Sequence, residues 1–395
     1  MKKSNKILML VFSIMMATLP LFAVACNKKA EVVALENCAI EHETEFGGIY
    51  IKKTIDEFNA LGFVYGDSVN VVFSNGYEMM DIPYYNGYYT KNNEKLLVAY
   101  KGYPYIKVTI NNGNDIWYDA DFAKESNGND LWLMSDFSSE VTATITLAQR
   151  GKYKDIQDVR NIEYRDQRNE YPSDIVFANF RSLSGGNLKE NFIYRSASPC
   201  DNQHNRASYV DTLMGQAGVN FMINLADTTE KIDGYMSAED FNSPNFASLY
   251  ENNKVVLLTM NMNYASDAFK TKAVSGLNAI LNNEGPFLVH CTEGKDRTGF
   301  MCLLIEAIAG ATYQEIVDDY MVTYANYYGI TKEKDSVKYN VIIQSLLNPM
   351  IEEIVGQTDI DFNEVDFALA AKNYVGDKMS EEDFNQLKAK ICNIG

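Results

Sequence analysis

Residues 290–299 read His-Cys-Thr-Glu-Gly-Lys-Asp-Arg-Thr-Gly, and these residue types in this order can move a phosphoryl group. Cysteine attacks as the thiolate, which a positive local field stabilises at neutral pH, so Cys291 is the candidate nucleophile. Arg297 can hold two phosphate oxygens as a fork, a geometry that lysine lacks. Backbone N–H groups of Thr292, Glu293, Gly294 and Lys295 can surround the same anion, while Gly294 and Gly299 permit a tight loop and a close helix. His290 would order the loop. Thr298 can donate its hydroxyl to the sulfur when the thiolate leaves during hydrolysis of a phosphocysteine. A Walker-type nucleotide loop does not fit, because Asp296 stands where Ser or Thr must hold magnesium.

This chemistry needs an anion-favouring position. Residues 287–289 (Phe-Leu-Val) form an apolar run suited to a buried strand, and 298–309 read as a largely apolar helix. The loop between them lies at a strand's carboxyl end and a helix's N-terminus, where anions are favoured. Further apolar runs at 221–225 and 255–260 alternate with helical stretches. The expectation is an α/β domain, a parallel sheet flanked by helices.

Cys-x5-Arg-Thr after His is the pattern of the protein tyrosine phosphatase superfamily. The run from Gly294 to Gly299 resembles in particular the secreted bacterial tyrosine phosphatases that also act on phosphoinositides. Asn179-Phe180-Arg181 with Gly185-Gly186, then Tyr194-Arg195-Ser196, are similar to that family's Asn-Phe-Arg-Asp-Leu-Gly-Gly and Tyr-Arg-Ser elements. Residues 218–225 resemble its strand ending in Asp-Leu-Arg, and 319–323 the helix that follows the loop. The resemblance implies a phosphatase-like fold and a phosphocysteine intermediate. With three histidines and no metal-type spacing, neither metal nor cofactor is expected.

Two departures bear on the acid that protonates the leaving oxygen. Ser182 stands where the family often has Asp, and Asn224-Leu225-Ala226 where it has Asp-Leu-Arg. Asp296 is therefore the candidate acid, provided that its carboxyl is held protonated or shares a proton with the bound phosphate. Asp227 and Asp201 are alternatives. Glu293 beside the pocket should repel highly phosphorylated ligands, whereas Lys295 pulls the other way. Arg195, Asp201, His204, Arg206 and Asp227 are candidates to line the pocket, although arginines also brace α/β cores through carboxylates. Cys200 can be a disulfide partner of Cys291 or a buried thiol, and Cys302 reads as core.

A net charge of −18 argues against nucleic acid as a partner, so an anionic substrate must be held by a local pocket. The chain begins with Lys2, Lys3 and Lys6, followed by an apolar stretch over 7–25 that ends at Cys26. This is an export signal, and Ala23-Val24-Ala25-Cys26 resembles the lipobox of bacterial lipoproteins, with Ala23 departing from the usual Leu. The implied location is the outer face of the bacterial cell membrane, through a lipid on Cys26. The six cysteines are widely spaced, which excludes a dense disulfide framework.

Between 67 and 147, short runs rich in Tyr, Val, Ile and Thr are divided by Asn-Gly and similar turns, with strands expected at 68–73, 96–100, 105–110 and 141–147. They suggest a separate small β-barrel or sandwich, with a helix expected around 49–61. The stretch from Gly66 resembles the C-terminal barrel of S-adenosylmethionine hydroxide adenosyltransferases, which would imply a fold and no activity. The expected division is a signal over 1–25, a β-rich accessory domain over 26–151, a polar linker over 152–174 and a phosphatase domain over 175–395. The functional expectation is an exported phosphatase acting on protein phosphotyrosine. The alternatives are a phosphoinositide or inositol phosphate substrate, or a catalytically weak phosphate-binding or adhesive lipoprotein.

Overall fold

Two stretches of the chain bury apolar residues with different periods, one inside a barrel and the other on both faces of a sheet. The computed structural model describes residues 33–120, 123–126, 129–132 and 141–393; the expected signal segment over 1–25 and Cys26 lie outside the described residues.

The N-terminal unit contains β1 (Ala34–Glu43), β2 (Gly48–Ile51), β3 (Ser68–Phe73), β4 (Glu78–Tyr85), β5 (Lys95–Val98) and β6 (Ile106–Ile110). A hairpin of β7 (Ala123–Ser126) and β8 (Asn129–Trp132) precedes β9 (Thr142–Gln149). Strands in the order β1-β2-β6-β5-β4-β3-β9 form a closed barrel, with β9 pairing antiparallel to β1. Closure leaves no free edge among the described barrel strands. Alternate residues point inward: Val69, Val71 and Phe73 of β3 meet Ile49 and Ile51 of β2, Ile106 and Val108 of β6, and Ala143 and Ile145 of β9. Leu96 and Val98 point outward and pack with Tyr85, Tyr88, Tyr103 and Tyr153. Many of the tyrosines therefore serve strand-face packing.

The expected helix over 49–61 is corrected. Residues 49–51 alternate in burial, with Tyr50 the more exposed, and pair with both β1 and β6. The helix is confined to Ile55–Ala60, started by a capping box in which Thr54 and Glu57 satisfy each other's backbone N–H groups.

The second unit holds β10 (Arg181–Ser182), β11 (Ile193–Ser196), β12 (Phe221–Asn224), β13 (Val255–Leu257) and β14 (Phe287–His290), in the order β10-β11-β14-β12-β13. The three pairings among β11, β14, β12 and β13 are parallel, and β10 is an antiparallel edge. Phe287 and Val289 with Phe221 and Ile223 face one layer of helices, which includes Asp267–Asn282 and Asp296–Ile308. Leu288 and Met222 face the other, formed by Ala207–Gln216, Thr229–Met236 and Pro244–Glu251. Burial on both faces explains the continuous apolar runs. Each such Phe or Leu contributes about 1.5–3 kcal/mol.

The 152–174 segment is more structured than a polar connector. Its helix Lys154–Arg160 is tied to the barrel by Tyr153 N donating to Gly66 O at 2.7 Å and Gln157 Nε2 to Asn86 Oδ1 at 2.8 Å. On the opposite side, Val159 joins the core of the second unit and Arg160 Nη2 donates to Ser345 O at 3.1 Å.

Candidate active site

β14 is the central strand, and its last residue, His290, is in register with Ser196 of β11 and Asn224 of β12. The chain leaves this aligned carboxyl edge as the loop 291–295 and enters the helix Asp296–Ile308. That helix is apolar and buried on nearly all sides. Lys295 at its N-cap makes no side-chain capping bond, so the first-turn N–H groups face the loop.

The loop is braced from below and from the side. Gly294 has φ +67°, and a Cβ there would lie 2.0 Å from Ser196 O, so only glycine fits. Its carbonyl oxygen accepts from Arg195 Nη2 at 3.0 Å and from Asn179 Nδ2 at 3.4 Å. Ser198 N donates to Thr292 O at 3.0 Å, and Tyr327 Oη to Glu293 O at 2.7 Å. Arg195 also binds Asp319 Oδ2, while Arg181 Nε reaches Asp319 Oδ1 at 2.8 Å. Burial pushes the Asp319 carboxyl up, but the two guanidiniums outweigh it and hold the group below the usual carboxylate range.

Cys291 opens the loop and is 3% exposed. His290 is fully buried, and burial, opposed by the Asp227 charge, lowers its pKa to about 4. The ring is therefore neutral, and its Nδ1 donates to the carbonyl oxygen of Cys291 at 3.1 Å. This hydrogen bond fixes the peptide that follows the nucleophile. Arg297 Nη1 donates to Met260 O at 3.2 Å and Nη2 to Thr292 Oγ1 at 3.5 Å, which orients the guanidinium across the loop. Thr298 Oγ1 is buried in the first helical turn with no partner, so it is available to donate. Gly299 lets Tyr320 pack close, since a Cβ would lie 2.9 Å from that ring.

Lys295 Nζ donates to both carboxylate oxygens of Asp296, at 2.9 and 2.7 Å, and lies 3.9 Å from Glu293 Oε2. Burial raises the Asp296 carboxyl, but the Lys295 ammonium overcomes it and leaves the group below its ordinary value. Asp296 is thus ionised at neutral pH, and any proton that it gives must first be acquired.

Of the candidate pocket residues, Arg195 and Arg206 are placed as braces, which for Arg195 is the core-bracing alternative. Arg195 is buried beneath the loop. Arg206 is spent on Phe177 O at 2.9 Å, Asp166 Oδ1 at 3.0 Å, Arg165 O at 3.0 Å and Tyr171 Oη at 3.1 Å. A guanidinium with every donor taken by the protein has none left for substrate. His204 does border the loop, with Nε2 3.8 Å from Glu293 Oε1 and Nδ1 3.0 Å from Asp166 Oδ1. Asp227 is buried behind His290 and accepts from Asn224 Nδ2 at 3.0 Å. Asp201 accepts from Gln203 N at 3.1 Å within its own turn.

Cys200 is a free, buried thiol whose pKa burial drives up, with Ser198 Oγ 3.4 Å from its sulfur. Cys302 is likewise free and buried, pushed up to about 12 by desolvation. Neither is paired with Cys291.

Sequence reasoning missed Tyr164 and Asp166. Tyr164 Oη donates to Glu293 Oε2, its ring lies 4.8 Å from that of His204 at 30°, and Tyr328 packs edge-on at 5.5 Å. Neither residue stands in a periodic pattern that would have marked it.

The family comparison agrees with this arrangement. The family described as "Tyrosine phosphatase family" matches residues 176–392. No curated protein matches. Among solved structures, the chain is similar to the core catalytic domain of the PP-IP phosphatase Siw14 from S. cerevisiae in complex with citrate, with 18% identity and a TM-score of 0.26, over 47% of this chain and 93% of that one. A second structure of the Siw14 catalytic core aligns with 16% identity and a TM-score of 0.26, over 50% of this chain and 97% of that one. Since the family match takes in the whole phosphate loop and spans more than half of the 395 residues, the chain belongs to the tyrosine phosphatase family and is a phosphoric monoester hydrolase.

Proposed function

We propose that the protein hydrolyses phosphotyrosine in exported or extracellular proteins through a phosphocysteine at Cys291. The observation that carries the choice of substrate is the pairing of Lys295 with both oxygens of Asp296, with Glu293 close by. A cation already neutralised by two carboxylates adds little attraction for the extra phosphates of an inositol polyphosphate or phosphoinositide. Tyr164, His204 and Tyr328 supply aromatic faces next to the loop, which suit a phenyl ring.

In the proposed cycle the Cys291 thiolate attacks phosphorus. The S–P bond forms as the P–O bond to the tyrosine breaks, and Arg297 with the loop N–H groups holds the equatorial oxygens. Asp296 relays a proton to the departing phenolic oxygen, taking it from the bound phosphate monoanion because its own carboxyl is ionised. Water then cleaves the S–P bond, releasing inorganic phosphate and the thiolate, which Thr298 stabilises.

We assign residues 26–151 to an accessory domain, 152–174 to the connection and 175–395 to the phosphatase domain. The resemblance of the stretch from Gly66 to adenosyltransferase C-terminal barrels would give the barrel a role in fold or placement, and none in chemistry. Cys26 is the proposed lipid anchor. Loss of detergent-phase partitioning in Cys26→Ala would support it, and unchanged partitioning would remove it.

The decisive assay offers phosphotyrosine peptides, phosphoinositides and inositol phosphates to the purified protein with EDTA present. Preference for the peptides supports the reading, and preference for an inositol phosphate replaces it with the second one. Full activity in Cys291→Ser would sink the thiolate mechanism.

A further inference from the structure

The phosphate loop carries a carboxylate, Glu293, at a place where an anion must bind, and tyrosines hold the residue at its backbone and at its side chain. Its carbonyl oxygen accepts from Tyr327 Oη at 2.7 Å, and its Oε2 accepts from Tyr164 Oη. The other carboxylate oxygen, Oε1, faces His204 Nε2 at 3.8 Å. Tyr164 belongs to the segment between barrel and phosphatase unit, 129 residues from Glu293 in sequence. It is wedged between His204 and Tyr328, and its hydroxyl is driven far up in pKa by burial and by the Glu293 charge, so it remains a donor.

We infer that Tyr164 is a positioning residue for phosphate binding: it holds the Glu293 carboxylate turned away from the anion site, so that the connecting segment sets the affinity of the loop. This rests on the phosphatase reading. A carboxylate free to rotate would place a negative charge beside the bound phosphate and repel it. One held by a phenol, with its charge partly absorbed by that donor and by Lys295 at 3.9 Å, does not. The expected cost of releasing it is about tenfold in affinity, the scale of one hydrogen bond to a charged group.

The test measures inorganic phosphate binding by calorimetry on the full chain at neutral pH, for the wild type, Tyr164→Phe, Glu293→Gln and the double variant. Tyr164→Phe keeps the ring and removes only the donor. It should weaken phosphate binding about tenfold, raise KM far more than it lowers kcat on p-nitrophenyl phosphate, and lose this effect when Glu293 is already Gln. Unchanged binding in Tyr164→Phe overturns the inference, and so does a defect that persists in the Glu293→Gln background, because Tyr164 would then act on the fold alone. A wild type that binds no phosphate overturns the phosphatase reading along with it, whereas binding without coupling between the two residues overturns this inference and leaves that reading standing.

Discussion

The guanidinium of Arg195 donates to the carbonyl oxygen of Gly294 at 3.0 Å from beneath the loop, and its other nitrogen binds Asp319. The site is therefore hung on a buried ion network made of β11 and the helix Tyr313–Tyr328. Arg195→Met removes one of the two cations on Asp319 and leaves the carboxylate under-paired in the interior. The expected loss is about 3 kcal/mol of unfolding free energy, with a lower kcat because the Gly294 carbonyl loses its donor. Urea denaturation with parallel kinetics checks both. An unchanged midpoint would mean that Arg181 alone satisfies Asp319.

Gly294→Ala is expected to be severe for a different reason. Its Cβ would meet Ser196 O at 2.0 Å, in a backbone region at φ +67° that side chains rarely adopt. The main chain of β11 or the loop must shift, so activity on p-nitrophenyl phosphate should fall at least about a hundredfold, since even a small misplacement of a reacting group has that cost. The same change at Gly310, where φ is +78° and no atom lies within 4 Å, carries only the conformational cost and should leave kcat near that of the wild type. Equal activity in the two variants would refute the close-contact argument.

The loop was legible in the sequence because all of its chemistry lies in ten contiguous residues whose flanks name a strand and a helix. The barrel strands were legible for a similar reason, each being a short alternating run closed by a turn. Arg195 and Arg206 were not. An arginine at a strand end can point under the sheet or into the cleft, and only the position of Asp319 and Asp166 decides which. Tyr164 was hidden more deeply, because its partner Glu293 is 129 residues away and nothing local in a polar segment foretells such a contact. The helix expected over 49–61 fails at its start, where the alternation of 49–51 belongs to a strand.

His290 should make stability depend on pH. Its folded pKa of about 4 lies below the ordinary histidine value of 6.5, so between those values the unfolded chain binds more protons than the folded one. Stability from this group is present above the unfolded pKa and is lost as pH falls toward the folded one. Between pH 7 and pH 4.5 the loss should be about 2 kcal/mol. His290→Gln removes the titrating ring, so its unfolding free energy should fall less over the same interval. Parallel curves for wild type and variant would show that the buried ring does not govern the acid limb.

Asp296 offers the sharpest test of the proposed proton path. With both oxygens on Lys295, the carboxyl is ionised at rest, and the proton must arrive with a phosphate monoanion. For phosphotyrosine, whose second pKa is about 6, kcat/KM should therefore fall as pH rises above that value. Asp296→Asn should slow phenyl phosphate, which needs its leaving oxygen protonated, by about a hundredfold. It should slow p-nitrophenyl phosphate much less, since that phenolate leaves readily without a proton. Lys295→Met leaves Asp296 in place and removes the cation that lowers its pKa. The carboxyl should then stay protonated to higher pH, which moves the basic limb of the profile upward. Equal slowing of both esters by Asp296→Asn, with no shift in Lys295→Met, would transfer the acid role away from the loop and toward Asp227, whose carboxylate lies buried behind His290.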